Sequence, residues 1–434
     1  MPHVAVVGAG AAGTMAALHL LRHKDSRALR LTVIDPDAST GPGVPYRTTD
    51  PRHLLNVPAG RLSADANEPL DFVDWLGGNG LTSAGPEDFV PRGLFGRYLS
   101  RAFDGARGDR VTRIHRRAVA VAVHGHGLTV TLRNGDSVQA DAVVLAAGPN
   151  TPGTTWAPTW LRDSALFVND PWRPGALDGL PEDGDLLLVG TGLTMADLAC
   201  TLRRPDRVLH AISRSGLLPR SHRLDPPSPV SAPAFTIDRG QVLERSVHYV
   251  QDVIAQGGDA CVAVDALRPH AGALWAGMTD DERTRFLRKY RRLWDIHRHR
   301  MAPRTAAHVD QYLGDGGLQI HRAELLDTVA AGTGARATLS TGQVLEVRAV
   351  INCTGPQYDI TTGADPLWSQ LLADGLVKPG PLNLGLDTDA EGRILPGVAP
   401  MWTLGPLRRG NLWETTAFVE IRAQAERLAA LIGS

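Results

Sequence analysis

The sequence predicts an α/β fold in which two similar strand–turn–helix units are followed by a mostly helical region. Residues 3–7 form a β-rich run that leads through glycines into a helical pattern over 11–22. The same order recurs over 185–202. Two apolar runs, 143–149 and 350–356, each end in Gly-Pro, which marks a strand that turns at its end.

The first glycine turn, Gly8-Ala9-Gly10-Ala11-Ala12-Gly13, has the spacing of a dinucleotide-binding fingerprint. Gly8 permits the tight turn, Gly10 lets the backbone approach a pyrophosphate, and Gly13 lets helix and strand pack closely. The helix N-terminus would bind the phosphates. Asp35, at the end of the next strand, would accept hydrogen bonds from the adenosine ribose. Strand, helix and acidic residue together predict a nucleotide site.

The second turn, Gly190-Thr191-Gly192-Leu193-Thr194-Met195, keeps two of the three glycines. Met195 in the third position would push helix and strand slightly apart but leave the pyrophosphate turn intact. Ser213-Arg214-Ser215 follows the next strand, where an NAD-specific site would place an acid. Arg214 and the flanking hydroxyls suit a 2′-phosphate, so NADPH is favoured over NADH. The alternative is that Arg214 is only a surface charge.

Composition excludes several classes of function. The chain of 434 residues is long enough for two or more domains, and its formal net charge of −1 gives no field that favours nucleic acid or an anionic membrane. The three cysteines form no Cys-x-x-Cys pair, which excludes a dithiol disulfide reductase and fits a reducing compartment. No leader segment and no apolar run of about 18 residues is present, so a cytoplasmic protein is expected.

Several longer stretches resemble the FAD/NAD(P)-binding Rossmann family of flavoproteins, related to flavin-dependent N-hydroxylating and Baeyer–Villiger monooxygenases. Residues 40–46 and 53–59 resemble the flavin-contacting loop of that family, and 72–76, 89–92 and 98–99 its following helix and loop. Residues 190–197 and 213–219 resemble its nicotinamide-binding part. Residues 405–410 and 413–417 resemble its last FAD motif, in which Thr415 and Thr416 would cap a helix that points at the flavin.

The resemblance implies FAD and NADPH as cofactors. The positions expected to bind them are Gly8, Gly10, Ala11, Ala12, Gly13, Asp35, Pro36, Pro45, Tyr46, Leu55, Asn56, Val57, Val119, Ala147, Gly148, Pro149, Gly190, Thr191, Gly192, Thr194, Met195, Ser213, Arg214, Ser215, Thr354, Gly355, Gly405, Glu414, Thr415 and Thr416. No His, Cys and Asp grouping has metal-ligand spacing, so no metal is expected.

The resemblance also implies a reaction. NADPH would reduce FAD, O2 would add at the flavin C4a position, and the resulting hydroperoxide would oxygenate a small molecule. N-hydroxylation of an amino acid or amine is the preferred reaction. An NAD(P)H-dependent flavin reductase or oxidase without substrate hydroxylation, and a non-catalytic FAD-fold binding protein, are the alternatives. The expected partners are a small-molecule substrate and O2, with no nucleic acid and no membrane; a homodimer stays open.

Few side chains stand out as catalytic. Asn56 is the first candidate for contact near the flavin ring or oxidised NADP, against a plain turn role before a proline. Arg92, the second candidate, could bind a substrate carboxylate or form a surface ion pair, as could Arg298 and Arg300. Aromatic and histidine side chains of the helical region are expected to face the core or the solvent rather than a substrate, namely Tyr290, Trp294, His222, His297 and His299.

The expected domain organisation is discontinuous. Residues 1–180 and 330–434 would form the FAD-binding domain, and 181–224 with 303–329 the NAD(P)H-binding domain. Residues 225–302 would form a helical cap over the cleft, where the substrate is recognised. The two nucleotides would lie at the carboxyl ends of parallel strands.

Overall fold

The computed structural model describes residues 2–23, 29–37, 40–125, 127–223, 225, 228–230, 239–363 and 365–433. The strands are β1 His3–Val7, β2 Arg30–Ile34, β3 Val111–Ile114, β4 Ala118–His124, β5 Gly127–Leu132, β6 Ser137–Ala140, β7 Ala142–Leu145, β8 Phe167–Val168, β9 Leu186–Val189, β10 Leu209–Ser213, β11 Leu318–Arg322, β12 Leu325–Ala331, β13 Gly334–Leu339, β14 Val344–Val347, β15 Ala349–Asn352 and β16 Met401–Thr403. The helices are α1 Ala11–Arg22, α2 Gly43–Tyr46, α3 Asp71–Gly78, α4 Arg92–Ala106, α5 Thr159–Arg162, α6 Leu193–Leu202, α7 Val242–Ala255, α8 Ala260–Leu267, α9 Ala271–Gly277, α10 Asp280–Arg285, α11 Arg291–Arg298, α12 Pro303–Gly314, α13 Pro366–Ala373, α14 Arg409–Leu412 and α15 Phe418–Gly433. A π-helix, Phe286–Tyr290, lies between α10 and α11.

The first sheet is parallel, with strand order β16-β7-β1-β2-β3. Its central strand β1 is a continuous apolar run because both faces of the sheet are covered. Helices α1, α4 and α15 cover one face, and α1 packs along α15. The other face packs against the antiparallel sheet β4-β5-β6 and α13. This sheet therefore holds the first glycine turn in a rigid core.

The second sheet is also parallel, with strand order β11-β10-β9-β15-β8. Helices α6 and α12 cover one face, and the antiparallel sheet β12-β13-β14 covers the other. Each unit thus has the same order of elements. A strand, a helix and a parallel strand come first, and a further strand, a three-stranded antiparallel sheet and a return strand follow. The two predicted strand–turn–helix units are confirmed.

The sheet pairings correct the predicted domain boundaries. The strand β15 lies within residues 330–434, which the sequence places in the FAD-binding domain, but it pairs with β9 and so belongs to the second sheet. The strand β8, within residues 1–180 of the same predicted domain, pairs with β15. An apolar strand has the same pattern in either sheet, so only its hydrogen-bond partners decide where it belongs.

The two units meet where the chain passes from one to the other and back. Asn150 and Gln357, which follow the two return strands, exchange backbone hydrogen bonds of 2.9 and 3.2 Å in an isolated antiparallel bridge. The Asn150 side chain also donates to the carbonyl oxygens of Asp359 and Thr362. The return segments that the sequence singled out by their Gly-Pro pairs are therefore side by side.

The cap is helical over residues 242–298, as expected. Its core packs Trp275 and Phe286 against Trp413 of the C-terminal motif. Residues 226–227 and 231–238 of the predicted cap lie outside the described residues. Among the helices that the structure describes, none has both the length and the apolar character that crossing a membrane requires.

Candidate functional site

The first glycine turn joins β1 to α1. Gly8 has a φ of +105°, and a Cβ on it would lie 2.3 Å from the carbonyl oxygen of Ala146, which follows β7. A Cβ on Gly13 would lie 1.8 Å from the carbonyl oxygen of Gly8. No side chain fits at either position, because the return strand and the first turn of α1 close on the backbone. This is the geometry of a turn that brings backbone N–H groups to a phosphate.

The predicted ribose ligand lies next to this turn. The Asp35 carboxylate accepts hydrogen bonds from the N–H groups of Ala9, at 2.6 Å, and Asp37, at 2.8 Å. Burial raises the pKa of Asp35, and the two N–H donors act against that rise. The N–H of Gly41 donates to the Ala9 carbonyl oxygen at 2.9 Å, which folds the loop after residue 40 over the turn. Together these contacts form a cradle that fits an adenosine diphosphate group.

The second glycine turn, between β9 and α6, repeats this arrangement. Gly190 has a φ of +118°, and a Cβ on it would lie 2.4 Å from the carbonyl oxygen of Cys353, which follows β15. Met195, in the place of the third glycine, is fully buried between α6 and the second sheet. The Thr191 side chain is buried and bonds to the Ser213 hydroxyl at 2.9 Å. Both glycine turns therefore press a left-handed first glycine against the return strand, but only the second has room for a side chain at its third position.

An open, positively charged corner lies at the end of β10. The Arg214 side chain is 86% exposed, and an acidic neighbour, Glu324, lies 3.8 Å away. The hydroxyls of Ser213 and Ser215 accept hydrogen bonds from backbone N–H groups of the same turn, at 3.0 and 3.2 Å. Arg322, which the sequence analysis missed, stands in register beside Ser213 on β11. Among the described residues it has no acidic partner, and it is a second positive charge next to the end of β10.

The loop expected to contact the flavin is tied to both units. The N–H of Leu55 donates to the Val90 carbonyl oxygen at 2.9 Å. The Asn56 carbonyl oxygen accepts a hydrogen bond of 2.9 Å from Nε2 of His222. Burial lowers the pKa of His222 to about 4, so the ring is neutral and Nε2 carries the proton that it donates. Within the part of the chain that the structure describes, no group bonds to the Asn56 side-chain amide, and its contact with a ligand stays a prediction.

The structure does not support Arg92 as a substrate-binding residue. Its guanidinium forms an ion pair with Asp197 on α6 and lies over the Trp172 ring, 4.4 Å from the centroid. The two charged side chains are 15% and 8% exposed, so this is a buried pair and not a surface one. Asp197 already neutralises Arg92, and the pair joins α4 to α6 across the two units.

Further polar contacts hold the same junction. The Thr201 hydroxyl donates to the Asp50 carboxylate at 2.8 Å and pairs with the His53 ring at 2.8 Å. Arg52 donates to the Cys200 carbonyl oxygen at 2.9 Å. Burial lowers the pKa of His53, which keeps it neutral in this network. The loop before the flavin-contacting segment is thus anchored to α6.

The last motif positions its threonine differently from the prediction. Thr415 does not cap a helix: its hydroxyl donates to the Gly405 carbonyl oxygen at 2.9 Å and accepts from the Gln424 amide at 2.9 Å. The Gly405 N–H donates to the Gln424 side-chain oxygen at 3.0 Å, which closes a ring of three buried hydrogen bonds. Helix α15 begins at Phe418, so Ala417 and not Thr416 holds the capping position directly before it. Gln424 is a positioning residue that no local pattern indicates.

Glu414 lies at the contact between this motif and the cap. Its carboxylate accepts from the Trp294 indole N–H at 2.9 Å and pairs with Arg298 at 3.1 Å. Burial alone would raise the pKa of Glu414, but Arg298 and His299 outweigh it and hold that pKa below its ordinary value. Arg300 is paired as well, with Asp265 at 2.6 Å. All three arginines suggested as carboxylate ligands are therefore engaged in ion pairs.

The other predicted cofactor positions lie beside the two turns and their returns, and their part in binding stays a prediction. Val119 is the extra residue at an irregularity in β4. The remaining positions lie at the start of α1 and α6, after β2, in and after α2, and after β7 and β15, namely Gly10, Ala11, Ala12, Pro36, Pro45, Tyr46, Val57, Ala147, Gly148, Pro149, Gly192, Thr194, Thr354 and Gly355.

A cavity of about 1430 Å³ separates the cap from the flavin-contacting loop. Its wall includes Pro58 and Phe89 from the first unit, His222 and Cys261 from the cap side, and Glu414. No group of three or more potential metal ligands occurs among the described residues. The cavity therefore adjoins the loop that is expected to contact the flavin.

The geometry agrees with comparisons to known proteins. Residues 5–150 match the sequence profile of the FAD-NAD(P)-binding family. No curated protein matches the chain in sequence. The fold is similar to that of an ornithine N-hydroxylase from Kutzneria sp. 744, solved with reduced FAD, NADP+ and L-ornithine (TM-score 0.67, 16% identity, 99% of this chain and 98% of that chain covered).

Two further solved structures share the fold. One is an L-lysine 6-monooxygenase from Pseudomonas syringae (TM-score 0.67, 16% identity, 100% of this chain and 99% of that chain). The other is a cadaverine monooxygenase from Erwinia amylovora, bound to FAD (TM-score 0.61, 13% identity, 99% and 94%). Residues 5–150 thus match an FAD-NAD(P)-binding family, and the whole chain shares its fold with these three enzymes.

Proposed function

We propose that this protein is an FAD-dependent monooxygenase that consumes NADPH and hydroxylates the nitrogen of a small amine or amino acid. The observation that carries the proposal is the pair of equivalent pyrophosphate turns in one molecule, at Gly8 and Gly190, each closed by its own return strand. The three cysteines are free, so electrons that reach a flavin have no disulfide acceptor in the chain. We take O2 as the acceptor because the fold neighbours include a lysine and a cadaverine monooxygenase.

The chain's own residues would bind, orient and shield the reactants. The first turn, Asp35 and the Gly405–Thr415–Gln424 ring would hold FAD, and the second turn with Arg214 and Arg322 would hold NADPH. When bound, FAD would supply the activation of O2, and NADPH would supply the hydride. The Asn56 amide, fixed by its backbone bond to His222, would contact the ring or the substrate. Such chemistry needs few acid or base side chains.

The cavity supports an amine that carries an anionic group. Arg61 and Arg220 line it, both are exposed, and no acid among the described residues pairs with either. They replace Arg92, Arg298 and Arg300 as candidates for a carboxylate. The fold neighbours act on ornithine, lysine and cadaverine, which are small amines.

The decisive experiment measures product and coenzyme together. The purified holoenzyme is supplied with NADPH, O2 and a panel of amino acids, diamines, ketones and thioethers. Hydroxylated amine formed in proportion to the NADPH consumed would support the proposal. Hydrogen peroxide with every compound would instead assign an oxidase, and a flavin that NADPH does not reduce would assign a non-catalytic binding protein.

The coenzyme preference has its own test. Arg214→Ala removes one of two guanidinium groups from an exposed corner, so kcat/KM for NADPH should fall about tenfold while that for NADH stays unchanged. A wild type that uses NADH as well as NADPH contradicts the 2′-phosphate assignment.

A further inference from the structure

One arginine of the cap reaches into the second pyrophosphate turn. Nη2 of Arg292 donates to the carbonyl oxygen of Thr191 at 3.0 Å and approaches its hydroxyl at 3.1 Å. The same nitrogen donates to the carbonyl oxygen of Leu217, on the loop after β10. Thr191 lies between the two glycines of the turn, so this single side chain ties the cap to the nucleotide-binding backbone.

Only one edge of that guanidinium is used. Within the described residues, Nη2 makes all of its hydrogen bonds, while Nε and Nη1 make none. Neither of these two nitrogens is enclosed by protein, so both remain accessible beside the turn. Burial lowers the pKa of Arg292, and Asp295 only partly opposes that effect. A half-buried cation with a free edge is suited to an anion that supplies the missing charge.

The helix that carries Arg292 also contacts the last FAD motif. Trp294 and Arg298 of α11 bond to Glu414, the residue before Thr415. At 3.6 residues per turn, Arg298 lies about 240° around the helix from Arg292. The two side chains are thus about 120° apart the shorter way round, so they leave from different faces, and α11 connects the second glycine turn with the last motif. The preceding π-helix shifts the helical register and so sets the direction of Arg292.

We propose that Arg292 completes the second nucleotide site from the cap, binding the coenzyme diphosphate with its free edge while its other edge holds the Thr191 turn. The inference rests on the proposed function in that it takes NADPH as the occupant. A diphosphate offers the paired oxygens that an Arg fork binds bidentately. Because NADPH and NADH share this diphosphate, Arg292 would serve both, whereas Arg214 would serve only the 2′-phosphate.

The test is a titration of the oxidised holoenzyme with NADP+ and with NAD+, followed by the change in flavin absorbance or by calorimetry. Arg292→Ala should raise the Kd of both compounds by a similar factor, about tenfold or more. Arg214→Ala should raise only the Kd of NADP+. Arg291→Ala, an exposed neighbour on the same helix whose partner is Asp295, is the matched control and should change neither.

A second variant separates binding from support of the fold. In Arg292→Lys the ammonium can still donate to the two carbonyl oxygens but has no fork for the diphosphate. It should keep its FAD and its unfolding temperature, yet bind both coenzymes more weakly. Coenzyme affinity within twofold of wild type in this variant overturns the proposal, as does loss of FAD from it, which would assign Arg292 to structure alone. A wild type that binds NADP+ but forms no hydroxylated product would refute the proposed activity and leave this inference standing.

Discussion

The pair of Arg298 and Glu414 gives the sharpest prediction on stability. The two side chains are 6% and 8% exposed, and their charged atoms are 3.1 Å apart. Glu414→Gln keeps the shape and an acceptor for Trp294 but leaves the Arg298 cation buried without its counter-charge. Breaking a buried pair in this way costs about 3–5 kcal/mol. Because the amide keeps one hydrogen bond, we expect the lower end, which lowers Tm by roughly 3 °C for a chain of 434 residues.

Thermal unfolding of the holoenzyme, followed by flavin release, measures this shift. The matched control is Glu244→Gln, which breaks the pair with Arg285. That pair is shorter, at 2.6 Å, but its side chains are 49% and 43% exposed, so its loss should cost no more than about 1 kcal/mol. Removing both buried charges, in Arg298→Met with Glu414→Gln, should recover part of the loss. Equal shifts for the buried and exposed variants would refute the reasoning.

The same pair has a pH signature. The folded pKa of Glu414 is held below its ordinary value, so the stabilisation is complete above the unfolded pKa of about 4.3 and is lost as pH falls through the folded pKa. Glu414→Gln should therefore remove part of the acid sensitivity of unfolding. If the stability of the variant falls with decreasing pH as steeply as that of the wild type, the acid sensitivity comes from other groups.

Three further predictions concern the turns and the flavin loop. Gly8→Ala should give protein that purifies without FAD, because the added Cβ meets the Ala146 carbonyl oxygen at 2.3 Å; flavin absorbance per chain is the measure, and full occupancy would contradict the assignment. Gly190→Ala should keep FAD but lose reduction by NADPH, which stopped-flow bleaching of the flavin tests. His222→Gln should flatten the decline in stability as pH falls from 6.5 towards 4, since the pKa of His222 is lowered to about 4 and protonation disfavours the fold; urea unfolding at several pH values measures this, and equal slopes would argue against it.

The features that the sequence predicted well are those that local geometry imposes. Gly8 and Gly190 are needed because a neighbouring carbonyl oxygen lies where a Cβ would be, and a local strand–glycine–helix pattern reveals such a need. Ion pairs between residues that are far apart in the sequence leave no such local pattern. Asp197 neutralises Arg92 from 105 residues away, and no periodicity connects the two. The tertiary structure is therefore needed to tell which arginines are already paired and which are available for a substrate carboxylate.

The prediction that places β15 in the FAD-binding domain was wrong for a related reason. The strand β15 has an apolar pattern that fits either parallel sheet, and only its register with β9 decides between them. The capping prediction for Thr415 was wrong because its hydroxyl bonds to other partners. It joins Gly405 and Gln424, a residue within α15, in a closed ring of hydrogen bonds. The local preference of a residue for capping is overridden where its buried polar group can make all of its hydrogen bonds with other partners.

The bridge between Asn150 and Gln357 determines which segment of the chain can be exchanged as one piece. The whole second unit is an excursion of the chain whose two ends are hydrogen-bonded to each other. A segment with adjoining ends can be exchanged between relatives without stretching the host, provided that its buried partners in the host, Arg92 and Glu414, are kept. We expect the piece bounded by these two residues to behave as a cassette, so that coenzyme recognition could be exchanged while the flavin-binding host keeps its own sheet.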